Sequence, residues 1–225
     1  MPKKKAVSQA VEDYLKTIYH LKQEEASVTT KAISEEMGIS AASVTNMVKK
    51  LVQMGILHHT PYQEITLSRR GEKIALAVIR RHRLLETFLK EILGYRLDQI
   101  HEEAERLEHV ISEKFVKSMD EVLDRPATDP HGSPIPSQDG KIVVPYLIPL
   151  TSVDVGQSAF IRRLSHRDPE RLQYMENLGL LPNVEIKILE KKPFKGPLLI
   201  QIQTKRKEII GHNLAEQIWV RFKNK

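Results

Sequence analysis

Residues 29–55 read TTKAISEEMGISAASVTNMVKKLVQMG. Gly38 divides this stretch into a short helix and a tight turn, and Ser40 then caps a second helix from Ala41 to about Met54. The inner face of that second helix is Val44, Met47, Val48 and Leu51 at helical spacing, and Gly55 supplies the usual stop just past the last turn. Helix, glycine-containing turn, helix is the helix-turn-helix arrangement, whose second helix enters the major groove of DNA N-terminus first. Its outward residues would be Ala42, Ser43, Thr45, Asn46, Lys49 and Lys50, with Thr30, Lys31 and Ser40 as flanking candidate contacts. Asparagine reads adenine in a bidentate way, hydroxyls reach bases or phosphates, and lysines hold phosphates. The competing reading is a generic helical hairpin with a polar face. Against it, residues 56–59 and 64–67 read as two short strands around a turn containing Pro61, which makes the motif winged. His58 and His59 are then wing residues.

Working outward on the N-terminal side, Ser8 opens a helix to about Lys22 with Val11, Leu15 and Ile18 inside. Asp13 lies off that stripe and, by itself, reads as a solvated carboxylate. On the C-terminal side, Ser68 opens a long helix that ends near Leu93, before Gly94. Its basic run, Arg80, Arg81 and Arg83, reads as a solvated turn. Leu84, Leu85, Phe88, Leu89 and Ile92 form an apolar face wide enough to be a dimer seam, with intrachain core as the alternative.

The same helix carries His82 and Glu86 at i, i+4, and a following helix from about Asp98 carries His101, Glu105, Glu108 and His109. At 3.6 residues per turn, positions 101, 105, 108 and 112 share one face, with 109 beside them. Leu107, Val110, Ile111 and Phe115 fall on a neighbouring face expected to be buried, and Ser112 is a point where the helix could restart after a kink. A solvated acidic helix with incidental histidines is the bland reading. Two helices with matched imidazole and carboxylate groups favour a metal site. His101-Glu102-Glu103-Ala104-Glu105 opens like the zinc-protease motif, but Glu105 stands where the second histidine is required. A metallohydrolase would also need a base and a substrate cleft, and no convincing base is present, so no enzyme is expected.

Composition agrees with a DNA partner. The net charge is +6, with pI near 9.4. Residues 1–75 carry 11 basic and 8 acidic groups, residues 76–130 carry 9 and 12, and residues 131–225 carry 15 and 9. A basic head and tail around an acidic middle suit a nucleic-acid reader joined to a cation site. The absence of cysteine excludes disulfides and thiolate metal ligands and fits a reducing cytoplasm. No run of about eighteen apolar residues is present, so no membrane partner is expected.

Six of the 12 prolines lie between Pro126 and Pro149, which marks a linker and a change of domain. Within it, Asp129-Pro130-His131-Gly132 sets a carboxylate and an imidazole two residues apart on a turn. Beyond it, short strands are expected at residues 157–161, 185–189, 198–204 and 218–222, with one helix at about residues 169–178. Four or five such strands suggest a small barrel. The expected organisation is multidomain and mainly α: a winged helix-turn-helix at 1–75, a helical dimerisation and metal-binding domain at 76–125, a proline-rich linker at 126–150, and a small β-barrel at 151–225.

These residues resemble the metal-dependent repressors of the diphtheria-toxin-repressor and manganese-transport-regulator type, over nearly the whole chain. The resemblance rests on Glu12-Asp13-Tyr14-Leu15, Ser43-Val44-Thr45 and Arg81-His82-Arg83-Leu84-Leu85-Glu86. It continues in His101-Glu102-Glu103-Ala104-Glu105, Glu108-His109-Val110, Pro130-His131-Gly132 and Pro134-Ile135-Pro136. The tail, with Leu178-Gly179-Leu180-Leu181-Pro182 and Lys192-Pro193-Phe194-Lys195-Gly196-Pro197, looks like the SH3-like domain of small ferrous-transport accessory proteins.

The resemblance implies two metal positions per subunit. Asp13, Glu105, Glu108 and His109 match the regulatory site. His82, Glu86 and His101 match the ancillary site, which the family completes from the SH3-like domain; here the candidates are His166 and Asp168, with Asp129 and His131 of the linker as the alternative. The iron-sensing branch has sulfur ligands where this chain has Asp13 and Glu105, and carboxylates there favour a harder ion such as Mn(II), with Fe(II) the alternative and other divalent ions able to substitute in vitro. The manganese branch has a further Glu where this chain has Lys16, so a two-metal cluster of that kind is not expected. The implied function is a homodimeric, metal-activated repressor of metal-uptake genes, acting on a palindromic duplex operator in the cytoplasm. A metal-independent winged-helix regulator is the rival from another class.

Overall fold

The computed structural model describes residues 7–24, 27–60, 63–165, 168–204 and 206–222. The expected Pro61 turn and His166 lie outside the described residues. The elements form two compact units. The first contains residues 1–81 with 136–141, and the second contains residues 82–135 with 142–225.

The first unit begins with α1 (Gln9–Gln23), which buries Val11, Leu15 and Ile18 as the helical spacing requires. Ser8 stands at its N-cap position but makes no side-chain cap bond. Next come α2 (Thr30–Met37), capped by Thr29 on the Ala32 amide, and α3 (Ala41–Gln53), capped by Ser40 on the Ser43 amide. Between them Gly38 takes the left-handed conformation at φ 64° that closes the turn. Val44, Val48 and Leu51 of α3 are buried, and Ala42, Ser43, Asn46, Lys49 and Lys50 face outward. The wing is shorter than the sequence suggests: β1 (Leu57–His58) pairs with β2 (Thr66–Leu67) over two residues each. His58 and His59 are exposed on it.

The long helix α4 (Arg69–Glu91) is docked at the wing's base through Ser68, just before its first turn. Ser68 donates its hydroxyl to Gly55 O at 2.9 Å and accepts from Gly71 N at 3.1 Å. A Cβ at Gly71 would lie 2.1 Å from Ile56 O, so only glycine permits this approach. The boundary between the units falls inside α4, after Arg81.

In the second unit α4 continues to α5 (Ile100–Leu107) and α6 (Glu113–Val122). The ligand-bearing segment is therefore not one helix through position 112. The α-helix ends at Leu107, Glu108 forms its C-cap, and Ser112 recaps α6 through the Phe115 amide. The rest is a six-stranded antiparallel sheet of order β3-β8-β4-β5-β6-β7. Its strands are β3 (Ile148–Pro149), β4 (Ser158–Leu164), β5 (Glu185–Lys191), β6 (Leu198–Ile202), β7 (Arg206–Ile210) and β8 (Ile218–Phe222). α7 (Pro169–Leu178) spans the residues expected, and α8 (His212–Ala215) is a single turn. β3 and β7 escaped the sequence reading for a physical reason. β3 is two residues with a proline, and β7 is a charged edge strand, both devices that protect an open sheet edge.

Helices and sheet share one hydrophobic core. Leu84, Leu85, Leu89, Leu97, Ile100 and Ala104 are buried in the same cluster as Ile161, Leu164, Ile186, Ile200 and Val220. This corrects the assignment of Leu84, Leu85 and Leu89 to a dimer seam, because their own chain covers them. The expectation for Val110 and Phe115 is corrected in the opposite sense: they are 74% and 44% exposed, and Ile92 is 49% exposed. Among the described residues, no helix is long and apolar enough to cross a membrane.

Candidate metal centre

The second unit gathers imidazoles and carboxylates around Glu86, which is only 2% exposed. One turn earlier on α4, His82 Nε2 lies 3.0 Å from Glu86 Oε1. From α5, His101 Nδ1 lies 3.2 Å from the same oxygen and 3.1 Å from His82 Nε2. The i, i+4 spacing on α4 and the start of α5 thus deliver three metal-competent side chains to one point. Those of His82, Glu86 and His101 lie within 4.8 Å of one another.

The other nitrogen of His82 faces a second group. His82 Nδ1 is 2.6 Å from Glu108 Oε2 and 3.7 Å from Glu105 Oε1. Glu108 is fully buried, and its Oε1 lies 3.2 Å from His109 Nε2. Glu105 is more open, 3.8 Å from His101 Nε2. One imidazole therefore bridges Glu86 and Glu108, and the charges of the acidic cluster are partly offset within the protein itself.

A third group comes from the proline-rich segment. Asp129 and His131, both buried, join Glu86 in a cluster whose ligand atoms again lie within 4.8 Å. His131 Nδ1 is 3.6 Å from Glu86 Oε2 and 4.0 Å from Asp129 Oδ1. Asp129 Oδ1 accepts from the amides of His131 and Ser133, each at 2.9 Å. The two residues thus enter through a structured turn and not through a free linker. Asp168 has other work: it caps α7 on the Arg171 amide and pairs with the Arg171 side chain at 2.8 Å. It joins none of these clusters. Asp13 is half-buried on α1 of the first unit.

The electrostatics follow from burial and these neighbours. Burial pushes the Glu86 carboxyl up, but the charge of His82 and hydrogen bonds with His101, His131 and His82 outweigh it and hold Glu86 well below the usual carboxylate range. For Asp129, burial and the nearby Glu86 charge prevail over His131, Arg83 and the Ser133 amide, so its pKa is raised. Burial alone would lower His131, yet Glu86 and Asp129, with a backbone contact to Leu97, raise it. The donors are all oxygen or imidazole nitrogen. That set fits a divalent first-row cation of the harder kind, and it offers no thiolate to favour a soft one.

The sequence reading missed the arginines. Arg81 Nη2 donates to Glu12 Oε1 at 2.7 Å, both side chains mostly buried in the first unit. Arg80 donates to Pro136 O at 2.7 Å. In the second unit Arg83 lies 3.5 Å from Asp129 Oδ2 and donates to Pro134 O. A run of three basic residues looks solvated in one dimension, and only the returning proline-rich segment reveals acceptors for two of them. On the DNA side, Thr45 spends its hydroxyl on Ala41 O at 2.8 Å, and Lys31 pairs with Glu35 at 3.7 Å. Ser40 caps α3, Thr30 is half-buried, and Asn46, Lys49 and Lys50 project outward.

Comparison with known proteins agrees with this layout. Residues 6–65 match the N-terminal DNA-binding domain of iron-dependent repressors, residues 68–137 match their metal-binding and dimerisation domain, and residues 148–222 match the FeoA domain. The chain is 29% identical over 221 residues to the iron-dependent repressor IdeR of Mycobacterium leprae, covering 93% of this chain and 95% of that protein. It is 36% identical over 125 residues to the diphtheria toxin repressor of Corynebacterium efficiens, covering 56% and 54%. Among solved structures, a manganese-dependent transcriptional repressor in complex with manganese superposes with a TM-score of 0.87 at 35% identity, covering 94% of this chain and 99% of that one. The manganese regulator SloR gives 0.74 at 34% identity, covering 95% and 98%. The chain belongs to the family of metal-dependent transcriptional repressors that includes both the iron- and the manganese-dependent proteins.

Proposed function

We propose that this protein is a homodimeric repressor activated by Mn(II), with Fe(II) as the alternative ion, acting in the cytoplasm on a palindromic operator of metal-uptake genes. One observation carries the reading: a capped recognition helix with an outward Asn46/Lys49/Lys50 face and a buried imidazole–carboxylate network occur in one chain. We assign Glu86, Asp129 and His131, with His82 and His101 alongside, to the ancillary site. Asp13, Glu105, Glu108 and His109 are assigned to the regulatory site on the family pattern.

A divalent cation supplies positive charge that several carboxylates can share. Without it, His82 faces both Glu86 and Glu108 and balances them in part. Glu105, Glu108 and His109 are the residues that would hold it, and the cation would supply the positive charge that His82 Nδ1 now offers Glu108. Asp13 sits in the same unit as the recognition helix, so a cation held by this set would link metal binding to DNA binding. A dimer then presents two recognition helices at a spacing that matches half-sites one helical turn, or a multiple of it, apart. A coupling of about 1–3 kcal/mol suffices to change operator affinity roughly 5- to 150-fold. Ile92, Val110 and Phe115, exposed in the single chain, with Phe88 packed edge-on to Phe115, are the face we assign to the dimer.

The test is retention of duplex DNA, first selected from a random pool by the full-length protein with Mn(II), then assayed with Mn(II), anaerobic Fe(II) or a chelator. Metal-dependent retention is expected. Equal binding in the presence of the chelator would establish a metal-independent winged-helix regulator instead.

A further inference from the structure

The turn that presents Asp129 and His131 has almost no regular structure of its own. A single bridge, Thr128 with Pro134, closes it, helped by Asp129 N to Ser133 O and Ile135 N to Ala127 O, each 2.9 Å. These bonds, with those that Asp129 Oδ1 accepts, set the turn's own shape, but placing its carboxylate and imidazole against Glu86 also takes an external frame.

That frame is β4. The Leu164 amide donates to His131 O at 2.8 Å, so the backbone of His131 is held on both sides: its N–H by Asp129 and its C=O by Leu164. The next residue, Gly132, has φ +89° and presses against the same strand. A Cβ there would lie 1.8 Å from Arg162 O, 2.7 Å from Arg162 C and 2.9 Å from Arg163 Cα. All three atoms are backbone, which cannot swing aside as a side chain could. β4 itself is anchored, with Ala159, Ile161 and Leu164 buried in the shared core and β5 and β8 paired on either side.

We propose that β4 is a backbone clamp for this metal-binding turn, and that Gly132 and the Leu164 amide are its positioning groups. The SH3-like domain would thereby set Asp129 and His131 opposite Glu86 through its backbone. This rests on the ancillary-site assignment above. Coupling between linked equilibria is reciprocal, so filling the site must strengthen the bond that positions the turn.

The experiment uses the full-length protein and Mn(II) alone. Amide hydrogen exchange is read at residue resolution by mass spectrometry for Leu164, with Ile200 in the centre of the sheet as the reference for global opening. Mn(II) should slow Leu164 exchange by roughly 5- to 150-fold beyond its effect on Ile200, the range of ordinary site coupling. Calorimetric Mn(II) titration of Gly132→Ala should show one ion fewer per chain than wild type, although every ligand side chain is still present. The double variant Asp129→Asn, His131→Ala should lose that same ion and abolish the Leu164 effect.

If the double variant keeps the wild-type stoichiometry, the ancillary assignment is wrong. If the double variant loses an ion, but Leu164 follows Ile200 in wild type and Gly132→Ala binds normally, the clamp is wrong and the assignment stands. Should Gly132→Ala not fold, the wild-type exchange ratio of Leu164 to Ile200 decides alone.

Discussion

Replacing Glu86 by glutamine in the metal-free protein is the sharpest probe of the network. Glutamine keeps the volume and removes the charge that three imidazoles face at 3.0, 3.2 and 3.6 Å. The partners are histidines, which can shed a proton in place of remaining as uncompensated buried cations. Asp129 also gains relief, because the Glu86 charge opposes its ionisation. The cost is therefore that of lost charge-assisted hydrogen bonds, about 1–3 kcal/mol, and not the larger penalty of a stranded ion. With a urea slope of about 1–3 kcal/mol/M, the midpoint should fall by roughly 1 M.

The pH dependence gives the signature. Glu86 folds with a lowered pKa, so its contribution is present above the unfolded carboxylate value of 4.5 and is lost as pH falls through the folded value. His131 folds with a raised pKa, so its contribution is complete below 6.5 and is lost as pH rises through its folded value. The gap between wild type and variant should be widest between those two values and should narrow on the alkaline side. The single tryptophan, Trp219, lies in the second unit with the Arg163 guanidinium 4.4 Å over its ring, so its fluorescence reports unfolding of the relevant unit. A gap that stays constant from pH 5 to 9, or its absence at pH 6, would refute this reasoning.

Glu105→Cys replaces a half-exposed carboxylate of the set with a soft donor, which should shift activation of operator binding from Mn(II) towards Fe(II), Co(II) or Zn(II); an unchanged order of activating metals in buffered titrations removes Glu105 from the regulatory shell. On DNA, Asn46→Ala should relax base preference, whereas Lys50→Ala should weaken binding to all sequences and reduce the salt slope by about 0.9 for one lost phosphate contact; equal losses on selected and random duplexes would contradict the recognition-helix assignment. For the Arg81–Glu12 pair, a double-mutant cycle with Arg81→Met and Glu12→Gln, read by denaturation of the first unit, should show a coupling of about 1–3 kcal/mol. Strict additivity would mean that the pair does nothing for stability.

Much of the molecule is legible in one dimension because its signals are local. Gly38 with Ser40 at the turn and cap of the helix-turn-helix, the Val44/Val48/Leu51 stripe, and the His82/Glu86 spacing all follow from helical periodicity and cap chemistry. The ligand types, all oxygen and imidazole, are likewise a property of the sequence. What tertiary structure decided is whatever depends on a distant segment returning. Residues 129–131 look like linker until their turn closes beside Glu86, and Arg80 and Arg83 look solvated until residues 134–136 bring carbonyls to them. The apolar face of α4 could not be divided between core and surface from spacing alone, since Leu84 and Ile92 are equally hydrophobic. One meets the sheet's core and the other does not, and that is a fact of packing between segments far apart in the chain. Periodicity states which side chains leave a helix together; only the fold states what they find when they do.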